Sequence, residues 1–160
     1  MRATLATALL GLLPLVPAAR AQTSPHGLAL ELHAGYGGGG SHPDELVGGG
    51  LTYRFSTYVE GTGFMTAVVA RSTGRAVFAG AGLRLIPTRG SIRPYLAAGP
   101  LLAVRAYTVG HLGEFASMGL EAALDDPARR WRLFVEGRAM HGGDSWTQLV
   151  AGVRATLTGR

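Results

Sequence analysis

One short segment of the chain brings together residue types that act in ester and amide hydrolysis. Residues 137–146 read GRAMHGGDSW and contain His141, Asp144 and Ser145. A nucleophilic serine needs a histidine to take its proton, an acid to orient that histidine, and donors for the oxyanion. The segment offers a base in His141 and an acid candidate in Asp144, but no identifiable oxyanion donors. Whether it is a catalytic site or a polar turn depends on the elements that hold it.

The beginning of the chain has the three parts of a secretory signal peptide. Arg2 supplies a positive charge, residues 5–16 form an apolar core, and Ala19-Arg20-Ala21 matches a cleavage site. The apolar core is too short to cross a bilayer of about 30 Å as a helix. We therefore predict a Sec-type signal peptide at residues 1–21 and one exported domain at residues 22–160.

The composition favours a membrane barrel over a soluble domain. Hydrophobic residues make up 47% of the chain and charged residues only 16%, against about 25% charged in ordinary soluble domains. No later apolar run is long enough for a transmembrane helix. An exported chain with few charges and no membrane helix is typical of a transmembrane β-barrel.

The composition also excludes several functions. The chain has no cysteine, so it is neither a thiol enzyme nor a cysteine-based zinc protein. Its net charge of +5 results from fifteen arginines and ten acidic residues, and the arginines are scattered along the chain. Since a phosphate-tracking surface needs a cluster, we expect no nucleic-acid partner. We also expect no cofactor and no metal.

Turn residues divide the exported chain into eight segments in which apolar residues alternate with polar or small ones. In the first segment, Leu30, Leu32 and Tyr36 share one face, while Glu31 and His33 share the other. The pattern predicts an all-β, eight-stranded antiparallel up-and-down barrel. The predicted strands run approximately over residues 27–37, 46–55, 57–69, 75–86, 91–106, 114–124, 130–141 and 145–158.

The face with few charges is expected to meet lipid. Both termini would then be periplasmic, with outer connections near 37–45, 70–75, 107–113 and 142–144. Tyr53, Phe55 and Trp131 would lie near the inner rim and Tyr36 near the outer rim, as interfacial aromatic residues do. The alternative is a periplasmic lipocalin-like binder with its apolar face inside.

The other face is expected to fill the lumen with charge. Arginine offers a planar fork that suits paired, partly desolvated carboxylates, which predicts a structural ion-pair network. An anion-preferring conduit is the alternative, because arginines outnumber glutamates. The predicted lumenal residues, which His33 and Gln148 accompany, are Glu31, Arg54, Glu60, Arg84, Arg93, Arg105, Glu121, Arg132, Glu136, Arg138 and Arg154.

The segments GGGLTYRF at 48–55 and IRPYLAAGPLLAV at 92–104 resemble those of small eight-stranded outer-membrane β-barrel proteins, the OmpA/OmpW-like group. The resemblance implies an outer-membrane monomer that contacts lipid and is inserted by the barrel assembly machinery. Such chains often end in an aromatic residue, whereas this one ends Leu157-Thr158-Gly159-Arg160. This departure predicts either atypical recognition by that machinery or a barrel that ends at Leu157.

A narrower resemblance is to lipid A deacylase barrels, which carry a late H-x-S-N signature. Here His141 is followed by Gly142, Gly143 and Asp144, so the family's serine position holds Gly143. A turn at 142–144 would instead place Ser145 opposite His141 across a hairpin. We predict a non-catalytic barrel, with a lipid-modifying hydrolase that uses His141 and Ser145 as the alternative.

Overall fold

The computed structural model describes residues 27–38, 43–69, 76–105, 110–124 and 131–157. The predicted signal peptide at residues 1–21 lies outside the described residues. Among the described residues, no helix is long and apolar enough to cross a membrane. The strands are β1 (Gly27–Gly38), β2 (Asp44–Arg54), β3 (Val59–Val68), β4 (Ala76–Leu85), β5 (Ile92–Arg105), β6 (His111–Ala123), β7 (Trp131–Gly142) and β8 (Asp144–Thr156).

The eight strands close into one antiparallel barrel in chain order. Each strand pairs with its neighbours in sequence, and β1 closes the sheet by pairing with β8. This confirms the predicted all-β, eight-stranded up-and-down fold. We name the two ends of the barrel by what lies there. The terminal end holds the two ends of the described barrel and the connection 55–58. The hairpin end holds Gly143, the turn between β7 and β8.

Two predicted boundaries are wrong at the hairpin end. Strand β2 begins at Asp44 instead of residue 46, because Asp44 continues the ladder opposite Gly37. Strand β6 begins at His111 instead of residue 114, because His111 pairs with Ala103 of β5. In both places glycine-rich sequence resembles a loop, but backbone pairing with a neighbouring strand holds it in the sheet.

Polarity across the barrel wall is the reverse of that in a water-soluble barrel. Large apolar side chains face outward, including Leu32, 67% exposed, and Met118, also 67% exposed. The alternate positions face the interior, where Arg84 is 2% exposed and Glu121 is 1% exposed. The lipocalin-like arrangement, with the apolar face inside, is therefore wrong for the described strands.

The interior has two layers, of which the sequence analysis anticipates only one. Toward the terminal end it is charged. Toward the hairpin end it is apolar, and the Phe78 and Trp146 rings pack with centroids 5.1 Å apart. Closer to the terminal end, the Phe64 and Phe115 rings pack edge to face with centroids 4.9 Å apart. The apolar layer is the larger part of one buried apolar cluster: Leu46, Phe64, Val68, Ala76, Phe78, Leu101, Ala103, Phe115, Met140, Trp146 and Val150. Ala97 and Phe134 belong to the same cluster but lie closer to the terminal end.

Gly80 shows why this layer is tightly filled. A side-chain Cβ at Gly80 would lie 2.6 Å from atoms of the Phe64 ring and 3.2 Å from Phe115. Such an approach requires the rings to shift, so only glycine fits beside them. The aromatic side chains thus occupy the space that small residues on the same inward face leave open.

Candidate functional site

Arg54 and Glu60 form an ion pair that links β2 to β3 at the terminal end. They pair directly across β2 and β3, on either side of the connection 55–58. Arg54 donates from Nε and Nη2 to Glu60 Oε1 at 3.0 and 2.8 Å. The other carboxylate oxygen accepts from Arg154 Nη1 at 3.1 Å. This carboxylate therefore receives guanidinium groups from both sides of the barrel.

Arg154 connects three carboxylates that belong to different strands. Its Nη2 lies 2.6 Å from Glu31 Oε1, and its Nη1 lies 2.7 Å from Glu121 Oε2 as well as reaching Glu60. Arg84 Nη1 also donates to Glu31, at 3.0 Å. All these groups are almost fully buried. Arg154 therefore crosslinks the charged layer.

Glu121 is shared by three arginines. Arg93, its direct partner across β5 and β6, donates to Oε1 from both Nε and Nη2. Arg132 is more distant, with Nη1 at 3.5 Å from the same oxygen. Arg154 contacts the second oxygen at 2.7 Å. One carboxylate thus offsets part of the charge of three guanidinium groups.

Glu136 lies close to the boundary between the charged layer and the apolar layer. Arg138 Nε donates to its Oε1 at 2.5 Å, and the Tyr95 hydroxyl donates to its Oε2 at 2.6 Å. Both arginines near Glu136 also lie on aromatic faces: Arg84 is 4.2 Å from the Tyr95 ring centroid, and Arg138 is 4.2 Å from that of Phe64. The contact between Arg138 and Phe64 therefore joins the charged layer to the apolar one.

His33 lies at this junction. Its Nε2 is 2.9 Å from Thr66 Oγ1, which also accepts from Arg138 Nη1 at 3.2 Å. Its ring meets that of Phe134 at a centroid distance of 6.5 Å. The contacts describe a histidine held among neighbours, with no carboxylate hydrogen-bonded to its ring in the described part of the chain.

The structure places ten of the eleven predicted lumenal side chains among these contacts and leaves one undescribed. Arg105 ends β5, and its side chain is outside the described residues. Tyr95 and Thr66 are not among the predicted lumenal residues, although both are buried on the inward face with the charged residues. Their positions in the alternation are the signal that would have found them.

His141 and Ser145 meet as the predicted hairpin requires. They are directly opposite across β7 and β8, and Gly143 forms the turn with a φ of 85°. His141 Nδ1 lies 3.2 Å from Ser145 Oγ, and the contact is exposed on the outer face. Asp144 pairs with Gly142, and alternation along the strand places its side chain on the other face of the sheet from His141 and Ser145.

The carboxylate in register with His141 is instead Glu114 of β6. Glu114 is exposed, and no bond between its carboxylate and the imidazole accompanies the backbone pairing in the described residues. Polar side chains opposite one another on a sheet form such hydrogen bonds without catalysis. Within the described residues, no three histidine, aspartate or glutamate side chains are grouped as a metal site would require.

Comparison with known proteins identifies the architecture. No protein-family model and no curated protein matches the chain. Among solved structures, the N-terminal β-barrel domain of Pseudomonas aeruginosa OprF has a TM-score of 0.67 at 12% identity and covers 84% of this chain and 100% of that one. Neisserial surface protein A (NspA) has a TM-score of 0.66 at 16% identity and covers 82% of this chain and 97% of that one.

A third similar structure is Ail, the attachment invasion locus protein of Yersinia pestis. Its TM-score is 0.55 at 11% identity, and the match covers 84% of this chain and 100% of Ail. At these identities the similarity concerns the fold. The chain has the fold of the small eight-stranded outer-membrane β-barrels represented by OprF, NspA and Ail.

Proposed function

We propose that this chain is a non-catalytic barrel that spans the outer membrane of a Gram-negative bacterium. In this proposal residues 1–21 direct export, and the filled lumen gives the barrel a structural or ion-interaction role. The observation that carries the proposal is the reversed polarity of the barrel wall. Leu32, Met65, Met118 and Leu149 are each more than 60% exposed, which water would penalise and lipid would not.

The outward face has the banded pattern of a lipid-facing surface. Its ionisable side chains in the described strands are Glu45, Glu114 and His141, and all three lie toward the hairpin end. Tyr53 and Trp131 lie at the terminal end, 41% and 47% exposed. Between these two levels the outward side chains are apolar or small. This arrangement supports a hydrocarbon band flanked by polar and aromatic rims.

The interior supports a sealed barrel in preference to an anion-preferring conduit. An ion entering from the terminal end would meet the charged layer and then the apolar layer around Phe78 and Trp146. Eight strands enclose a space that side chains can fill. Toward the hairpin end, the buried Phe and Trp rings occupy much of this space, with Asp44 and Gln148 as buried polar neighbours.

The proposed partners follow from the same surfaces. Outer-membrane lipid would cover the apolar exterior, and the barrel assembly machinery would insert the strands. Closure of the sheet through β1 and β8 leaves no strand edge for pairing with a second chain. This supports a monomer.

A lipid-modifying hydrolase is the second candidate, favoured by the hydrogen bond between His141 and Ser145 at 3.2 Å near one rim. One experiment separates the two. Gram-negative cells express the wild type or Ser145→Ala, and membrane fractions are compared for heat-modifiable gel migration and for the mass of lipid A.

We expect both proteins in the outer-membrane fraction, with heat-modifiable migration and with lipid A of the same mass as in cells that lack the gene. Recovery of the wild type only from the soluble periplasm would contradict the membrane proposal. An acyl chain lost with the wild type but retained with Ser145→Ala would contradict the non-catalytic proposal.

A further inference from the structure

The charged layer contains more positive than negative charge. Its described side chains include six arginines and four glutamates, which leaves an excess of two positive charges. Charges in a low-dielectric interior are normally compensated by opposite charge. The arginines are Arg54, Arg84, Arg93, Arg132, Arg138 and Arg154, and the glutamates are Glu31, Glu60, Glu121 and Glu136.

The uncompensated charge is concentrated at the terminal end. There, Arg54 contacts Glu60, whereas Arg93 and Arg132 both contact Glu121. These two carboxylates are already shared with the deeper Arg154. In this outermost part of the charged layer, four arginines therefore share two carboxylates. The arginines are Arg54, Arg93, Arg132 and Arg154, and the carboxylates are Glu60 and Glu121.

Arg132 is the least satisfied of these arginines. Among the described residues, its closest carboxylate oxygen is 3.5 Å away and already accepts hydrogen bonds from Arg93. Its Nη1 is buried and forms no hydrogen bond within the described residues. Arg93 contacts the same carboxylate oxygen, and Arg54 lies at the same end of the barrel. Arg132 therefore keeps a buried Nη1 donor for which the described residues supply no hydrogen-bond acceptor.

This end of the layer is also the part that solvent reaches. The side chains of Arg54 and Arg132 are 35% and 14% exposed, whereas that of Arg138, deeper in the barrel, is 1% exposed. An anion could therefore reach Arg132 without crossing the apolar layer. Arginine forks match the oxygens of phosphate in direction and charge.

We propose that the terminal mouth of the barrel binds a small tetrahedral oxyanion, such as inorganic phosphate, at Arg132 with Arg93 and Arg54 beside it. The bound oxyanion accepts hydrogen bonds that Glu121 does not, and it neutralises the excess positive charge. This proposal deepens the ion-interaction role proposed above. It needs no conduction, because the ligand enters and leaves by the same end.

The test is isothermal titration of the folded mature barrel in a non-ionic detergent with sodium phosphate, at pH 7 and at constant ionic strength set with sodium chloride. We expect one saturable site in the wild type and an affinity at least about tenfold weaker in Arg132→Gln, because charge-assisted hydrogen bonds are lost. Arg89→Gln is the matched control. Arg89 is exposed at the same end, 5.3 Å from the Tyr58 ring centroid, and contacts no interior carboxylate in the described residues.

Heat-modifiable migration establishes that each protein is folded before titration. If Arg132→Gln does not fold, Arg54→Gln replaces it, with weaker binding again expected. The proposal is overturned if the folded wild type shows no saturable phosphate binding, or if the interior variant and Arg89→Gln bind alike. The titration uses folded protein in detergent and does not depend on where the protein lies in the cell. A negative result would therefore overturn the phosphate site without contradicting the proposed outer-membrane location.

Discussion

Met118→Arg is expected to destabilise the lipid-inserted barrel by about 2–4 kcal/mol, whereas Leu112→Arg is expected to cost about 0–1 kcal/mol. Both residues face outward on β6, where Met118 is 67% exposed and Leu112 is 84% exposed. They differ in depth, because Met118 lies near the middle of the strand and Leu112 lies next to its hairpin end. An arginine at the middle must be placed in hydrocarbon, while one at the rim reaches water.

The measurement is reversible urea unfolding in phosphatidylcholine vesicles, with the two variants compared with the wild type under the same conditions. The matched pair keeps the introduced residue and the strand constant, so the difference reports depth alone. Equal and small costs at the two positions would show that the middle of β6 does not face lipid.

Glu121→Gln is expected to lower the free energy of unfolding by about 3–5 kcal/mol, the cost of removing one partner from a buried ionic group. Glu121 is 1% exposed and is shared by Arg93, Arg132 and Arg154. Glutamine has nearly the same volume, so the change removes charge without opening a cavity. Three guanidinium groups then lose their common counter-charge.

The control for this variant is Glu114→Gln, the same chemical change on the same strand. Glu114 is exposed near the hairpin end, so its replacement is expected to change the free energy of unfolding by less than about 0.5 kcal/mol. Urea unfolding in the same vesicles compares the two variants. Similar values for both would mean that the charged layer contributes little to the stability of the barrel.

The faces of the strands could be predicted from sequence because alternation along a strand is strict. Leu32 and His33, for example, are adjacent and fall on opposite faces, 67% and 4% exposed. The ends of the strands are harder to predict from sequence, because they depend on pairing between two strands. His111, for example, belongs to β6 because it pairs with Ala103 on the other side of a connection. A glycine beside such a position looks like a loop until its partner strand is known.

Within the candidate site, local register was predictable and contacts across the barrel were not. The pair His141 and Ser145 follows from a tight hairpin turn, as does the alternation that points Asp144 to the other face. The three contacts of Arg154 depend on how the strands are staggered when the sheet closes. Alternation along single strands carries no information about that stagger.

The depth of residue 118 in a membrane shows most directly whether the outward face of the barrel contacts lipid. The chain has no cysteine, so Met118→Cys and Leu112→Cys each provide a single site for a nitroxide label on the barrel in phospholipid vesicles. Relaxation of the label by dissolved oxygen, which concentrates in hydrocarbon, is compared with relaxation by a water-soluble nickel chelate. If residue 118 lies in hydrocarbon, relaxation by oxygen dominates there, and relaxation by the nickel chelate is stronger at residue 112 than at residue 118. Free access of the nickel chelate to residue 118 would contradict this contact with lipid.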